Sequence, residues 1–159
     1  MASSLKKYNN HHLIELNPTI DTDAYQAGDV VGGLLTLPCG PSTLRQVKLV
    51  DNDNEGAELS LYLFRGTPTS IADDAAFASA FTEADNRLLI DEPLVFSTYT
   101  TINNEKKSIK GGHADGAGLG IECTPVDGLN IYAYAVCTAT PTYAALKLFW
   151  QFLFWTDRA

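Results

Sequence analysis

The sequence predicts an all-β protein: an antiparallel β-sandwich, jelly-roll-like, with one short helical insertion. Three observations carry that expectation. From Leu13 onward, short apolar runs alternate with clusters of turn residues. Within the clearest run, Leu59, Leu61 and Leu63 fall on every second position, which puts them on one face of a strand. Only Ile71 to Leu88 departs from this rhythm, with the alanine-rich composition of a helix.

Residues 1–12 are polar and aperiodic and read as a flexible N-terminal arm, which leaves 13–159 as a single β-sandwich domain. Strands are expected at Leu13–Leu16, Asp29–Leu37, Leu44–Asp51, Glu58–Phe64, Leu94–Ile102, Leu119–Cys123, Asn130–Thr138 and Ala145–Trp155. The polar run Asn52 to Ala57, with its glycine, suits a reversal and predicts a hairpin between Leu44–Asp51 and Glu58–Phe64. In Asn130–Thr138, Ala133 and Ala135 are small enough to let a second layer approach closely.

In the insertion, Asp73-Asp74 offers the acidic start that a helix N-terminus favours. Phe77 and Phe81 lie four apart, on one helical face, and would dock it onto the sandwich. The last strand carries Phe149, Trp150, Phe152, Phe154 and Trp155, so both of its faces are apolar. Either it is central in one of two packed sheets or a neighbouring subunit buries one face, since an open aromatic edge invites aggregation.

With 45% hydrophobic and 19% charged residues among 159, the chain has the composition of a folded globule and not of a disordered segment. A formal net charge of −8 disfavours direct nucleic-acid binding. The small cationic groups Lys6-Lys7 and Lys106-Lys107 with Lys110 read as arm and loop charges too few to reverse that field. The N-terminus lacks the apolar stretch of a secretory signal, and Ala144 to Trp155 is too short and too interrupted for a membrane span, so no membrane partner is expected. Cys39, Cys123 and Cys137 have no metal or redox spacing and read as free thiols of a protein folded in a reducing compartment, with a late disulfide between two of the three as the alternative.

The candidate sites each meet a chemical objection. Asp51, Asp53 and Glu55 with Gly56 resemble the opening of a calcium loop, but the twelfth position, where a bidentate carboxylate would close the cage, is Tyr62. Gly111 to Gly120 has no Walker lysine and reads as a mobile loop. His11-His12 point to opposite faces of an extended chain, and His113 has no nucleophile motif beside it. The reading is therefore no catalytic residue, no metal site and no cofactor. Tyr132, Tyr134, Tyr143 and Trp150 are the candidates for a sugar-stacking platform, and they define the alternative function, a carbohydrate-binding or host-recognition module.

Several stretches of the chain resemble one family. They are Asn17-Pro18-Thr19-Ile20-Asp21-Thr22 with Ala24-Tyr25 and Ala27-Gly28-Asp29-Val30-Val31-Gly32; Val47 to Asp53 followed by Leu59 to Phe64; Pro68-Thr69; Asp73 to Phe77; and Thr140-Pro141-Thr142-Tyr143 leading into Leu146-Lys147-Leu148. Together they resemble the capsid decoration, or cement, proteins of tailed bacteriophages, and Val47 to Phe64 matches that family's central hairpin. The resemblance implies a non-enzymatic virion structural protein, made in the host cytoplasm and placed on the capsid surface. Its partners would be the major capsid protein and itself, commonly as a homotrimer.

Overall fold

The computed structural model describes residues 11–111 and 118–156. Ten strands and two short helices follow in order: β1 (His11–Leu16), β2 (Leu35–Leu37), β3 (Ser42–Asp51), β4 (Leu59–Phe64), α1 (Phe77–Ala80), α2 (Glu83–Leu88), β5 (Leu94–Phe96), β6 (Thr100–Ile102), β7 (Glu105–Lys110), β8 (Ile121–Cys123), β9 (Ile131–Cys137) and β10 (Leu148–Trp155). All the pairings between them are antiparallel. The larger sheet runs β1-β10-β3-β7-β6, with β8 joined to β3, and the smaller runs β2-β9-β4-β5. Because the chain changes sheet at most connections, β1-β10-β3-β7 faces β2-β9-β4-β5, which is the double-sheet arrangement of a jelly roll. The expected fold class holds.

The expected hairpin does not form. β3 pairs with β10, β7 and β8, whereas β4 pairs with β9 and β5, so Asn52 to Ala57 crosses from one sheet to the other. Its turn chemistry is real: Asn54 and Gly56 have positive φ, and Asp51 accepts the N–H of Asp53 at 2.9 Å and of Gly56 at 2.7 Å. What forbids the hairpin is β4, which is apolar on both faces and buried along nearly its whole length. Such a strand needs a core on each side and takes the middle of the smaller sheet.

Leu59, Leu61 and Leu63 point into the core between the sheets, as their alternation predicts. They meet Ile131, Ala133 and Ala135 of β9 and the inward row of β10, Leu148, Trp150, Phe152 and Phe154, all fully buried. Each large side chain there contributes about 1.5–3 kcal/mol by leaving water. The other face of β4 and β9, with Phe64, Tyr134 and Val136, forms a second core with Val30, Ile71 and Phe77.

That second core is roofed by the insertion. Phe77 and Phe81 sit 5.2 Å apart between ring centroids, Phe77 lies 4.6 Å from Tyr62, and Phe81 packs on Phe64. Asp73 and Asp74 precede α1 and lie outside its first turn, contrary to the sequence expectation. The cap that does form belongs to α2, where Thr82 and Asp85 make a reciprocal capping box. Asp85 also accepts the N–H of Thr69 at 2.7 Å. Its burial pushes the carboxyl upward, but the N–H groups of Thr69 and Thr82 outweigh that and hold it below the usual carboxylate range. The chain then returns to β4, with Arg65 N–H donating to Leu88 and Ile90 N–H to Leu63.

Other boundaries also move. β1 starts at His11, so His11 and His12 belong to the sheet and not to the arm; the rest of the arm, residues 1–10, lies outside the described residues. Asp29 and Val30 make only isolated bridges ahead of β2. The expected strand Leu94–Ile102 divides, β5 going to the smaller sheet and β6 to the larger. β7 forms where the sequence places loop charges, Lys106, Lys107 and Lys110; only Ser108 of its residues is buried. The turn before it, Asn103-Asn104, has both residues at positive φ, the signature of a type I′ hairpin.

Candidate interface on the open face of the larger sheet

The larger sheet has no second layer over its outer face among the described residues. β10 is central, between β1 and β3, and its residues alternate without exception between buried and half-buried. Phe149, Gln151, Leu153 and Trp155 therefore point outward. The register extends these into rows across the sheet: His11, Trp155 and Thr43; Leu13, Leu153 and Gln46; Glu15, Gln151, Lys48 and Ile109; Phe149, Val50 and Lys107. Leu13 is 55% exposed, Ile102 55% and Ile109 45%, so strand positions a sheet would ordinarily cover or make polar are left apolar and open. A shallow depression lies among Leu13, Leu153, Gln46, Lys48 and Gln151.

A β-bulge shapes one end of this face. Gln46 pairs with Leu153 but Leu44 with Phe154, which leaves Arg45 as the extra residue of β3. Its guanidinium lies over the Trp155 ring, 4.7 Å from the centroid, and His11 stacks on the same ring at 5.1 Å. The geometry suits a cation–π contact. Nearby, Gly111 has φ +77, and a Cβ there would run into the Arg45 carbonyl, so that close approach requires glycine.

Charge separates the two sides of the molecule. The strands of the larger sheet carry Arg45, Lys48, Lys106, Lys107 and Lys110 against Glu15, Asp51, Glu105 and Glu122, five cations to four anions in a chain of net charge −8. Residues 65–92 carry Arg65 and Arg87 against Asp73, Asp74, Glu83, Asp85, Asp91 and Glu92, two to six. The near-neutral side is the one with the exposed apolar residues Leu13, Ile102 and Ile109, which lowers the electrostatic cost of bringing another acidic surface to it.

The residues singled out in the sequence fall elsewhere. Asp51 is buried with its oxygens on loop amides, and Asp53 accepts the N–H of Ala144 at 2.7 Å, so this loop uses its carboxylates to brace itself. No group of three His, Cys, Asp or Glu able to hold a metal occurs among the described residues. Lys106, Lys107 and Lys110 stand on β7, not in a loop. Lys6, Lys7 and His113 lie outside the described residues. Cys39, Cys123 and Cys137 are buried, and burial pushes all three thiols up, Cys123 to about 12. Tyr134, Tyr143 and Trp150 are fully buried and Tyr132 half-buried, so the four cannot form an open sugar platform.

Sequence reasoning missed two arrangements. The outward rows were foreshadowed only by the odd-numbered residues of β1 and β10. The other is Asp73, whose carboxylate accepts the N–H of Asp21 at 2.7 Å, the N–H of Gly32 at 2.6 Å and the hydroxyl of Tyr25 at 2.8 Å. No local signal marks it. A groove of roughly 390 Å³ opens beside Gly32, between Leu16–Thr19 and Leu34–Thr36.

No protein-family model matches the chain, and no curated protein does. Among solved structures, the VP1 pentamer of human polyomavirus 6 is similar over 92% of this chain and 94% of the VP1 chain, at 11% identity and a TM-score of 0.30. A likeness that slight carries no functional argument. No helix among the described residues is long and apolar enough to cross a membrane.

Proposed function

We propose that this chain is a non-enzymatic virion structural protein that decorates and stabilises a tailed-bacteriophage capsid, binding the outer surface of the shell. The observation that carries the reading is the outer face of the larger sheet: apolar residues such as Leu13, Leu153 and Ile109 set among polar ones, near-neutral charge, and no covering layer among the described residues, while the opposite face is roofed. Surfaces of that kind mark protein–protein contact in soluble proteins. The sequence resemblance over residues 17–150 supports the same class, although its central segment folds as a sheet crossing and not as a hairpin. Jelly rolls serve both capsids and lectins, so the architecture agrees without deciding.

On this reading the major capsid protein covers part of the open face. Copies of the chain associate as the homotrimer that the resemblance implies. Rebinding to capsids stripped of their decoration tests it. Wild-type protein should rebind stoichiometrically, and Leu153→Lys, which puts a charge in the middle of the outward rows, should not. A wild-type protein that ignores the shell but gives glycan-array signals as a monomer would support the carbohydrate-binding alternative instead.

A further inference from the structure

The four outermost strands of the two sheets differ in how they are protected. β2, β5 and β6 have three residues each, too short to template much pairing, and β8 is equally short. β1 has six, with no lysine, proline, glycine or bulge, and its register with β10 runs unbroken. No backbone hydrogen bond reaches its free edge from any described residue outside that pairing. An edge of this kind is ready for an added strand.

Its sequence also complements itself. We infer that β1 pairs antiparallel with β1 of a second copy across a two-fold axis at Leu13, joining two larger sheets into one. A two-fold axis perpendicular to the sheet keeps the outer faces on one side, so only residues of like orientation can stand opposite each other. His11, Leu13 and Glu15 all point outward, as their partners Trp155, Leu153 and Gln151 do. With Leu13 opposite Leu13 of the second copy, His11 stands opposite its Glu15, and Glu15 opposite its His11. Both pairings are favourable between neighbouring strands.

The junction would also merge the open faces. The row Leu153–Leu13 continues into Leu13 and Leu153 of the second copy, an apolar strip of four leucines across the seam. Leu13, now 55% exposed, gains a partner on each side. A single six-residue strand makes a small interface, so the self-association is weak and concentration-dependent. The contact is two-fold and is separate from any three-fold association. It does not depend on the virion reading, since it rests on the edge, the register and the side chains alone.

Cysteine cross-linking on the full chain reads the register directly. The three native thiols are buried, so an engineered surface cysteine is the reactive one. Across the proposed axis two residues at position 13 have Cα atoms ~4.5–5.5 Å apart, within disulfide range. Two residues at position 15 are offset by four places along the strands, about 13 Å, which is out of range. Under copper–phenanthroline oxidation, Leu13→Cys should give a disulfide-linked dimer on a non-reducing gel and Glu15→Cys should stay monomeric. Equal cross-linking of both, cross-linking of Glu15→Cys alone, or none with either overturns the pairing. Because both side chains are exposed, unchanged circular dichroism and melting are expected. Glu15→Lys supplies the second arm. It should lower the dimer fraction several-fold in sedimentation equilibrium by setting Lys against His11, and an unchanged fraction also overturns the proposal.

Discussion

The outer faces of the two sheets solve the same problem differently. Behind β4 and β9 the chain builds its own roof, the segment from Arg65 to Leu89, which buries Phe64, Tyr134, Val136 and Phe77 in a second core. Behind β10 no such roof occurs among the described residues, and Leu153, Phe149 and Trp155 stay half-buried. One face therefore contributes to folding, and on the proposed reading the other is kept for association. On that reading, apolar surface in a sandwich is divided between stability and assembly by where the insertion falls.

Substitutions break or sharpen that contrast, and the largest effect belongs to the roofed face. Phe77→Ala removes the aromatic link between insertion and sheet and should cost about 3 kcal/mol in denaturant melts. A cost below about 1 kcal/mol would mean that the insertion is not integral to the fold.

Asp85→Ala should cost roughly 2–3 kcal/mol, since it strands the N–H groups of Thr69 and Thr82 and removes a cap. The same residue predicts a pH dependence. Its folded pKa lies below the unfolded value of about 3.9, so its contribution is complete above that pH and is lost as pH falls through the folded pKa. The melting-temperature gap between wild type and Asp85→Asn should shrink as the solution is taken below about pH 4.

A smaller effect is expected from Tyr134→Phe. Its hydroxyl donates to the Thr69 carbonyl at 2.7 Å and accepts the Ile71 N–H at 2.9 Å, so the change should cost about 1–2 kcal/mol. Smallest of all is the open face: Leu153→Gln or Ile109→Ser should shift stability by no more than about 0.5 kcal/mol. If either destabilises as much as Tyr134→Phe, the two faces are not opposites.

What could be read from the sequence follows the same division. Period-two alternation at Leu59, Leu61 and Leu63, and the aromatic run in β10, are local signals that place the core. The pair Phe77 and Phe81 announced how the insertion docks. The sheet crossing after Asp51 was not legible, because a turn looks the same whether its strands pair with each other or part to different sheets. β7 was hidden because its lysines leave no alternation, although Asn103-Asn104 marked its turn. The Asp73 carboxylate joins residues 41 to 52 positions away, a distance over which one sequence alone gives no pairing signal.

The two tryptophans occupy opposite sides of one strand, and that gives the molecule a built-in optical readout. Trp150 is wholly enclosed, and its Nε1–H finds no hydrogen-bond partner among the described residues. An indole so isolated emits at short wavelength until the sandwich opens. Trp155 sits at the surface between His11 and Arg45, where its emission answers to water and to whatever settles on the sheet. The blue side of the spectrum thus follows folding and the red side follows contact, so one titration can separate a partner that docks from one that unfolds.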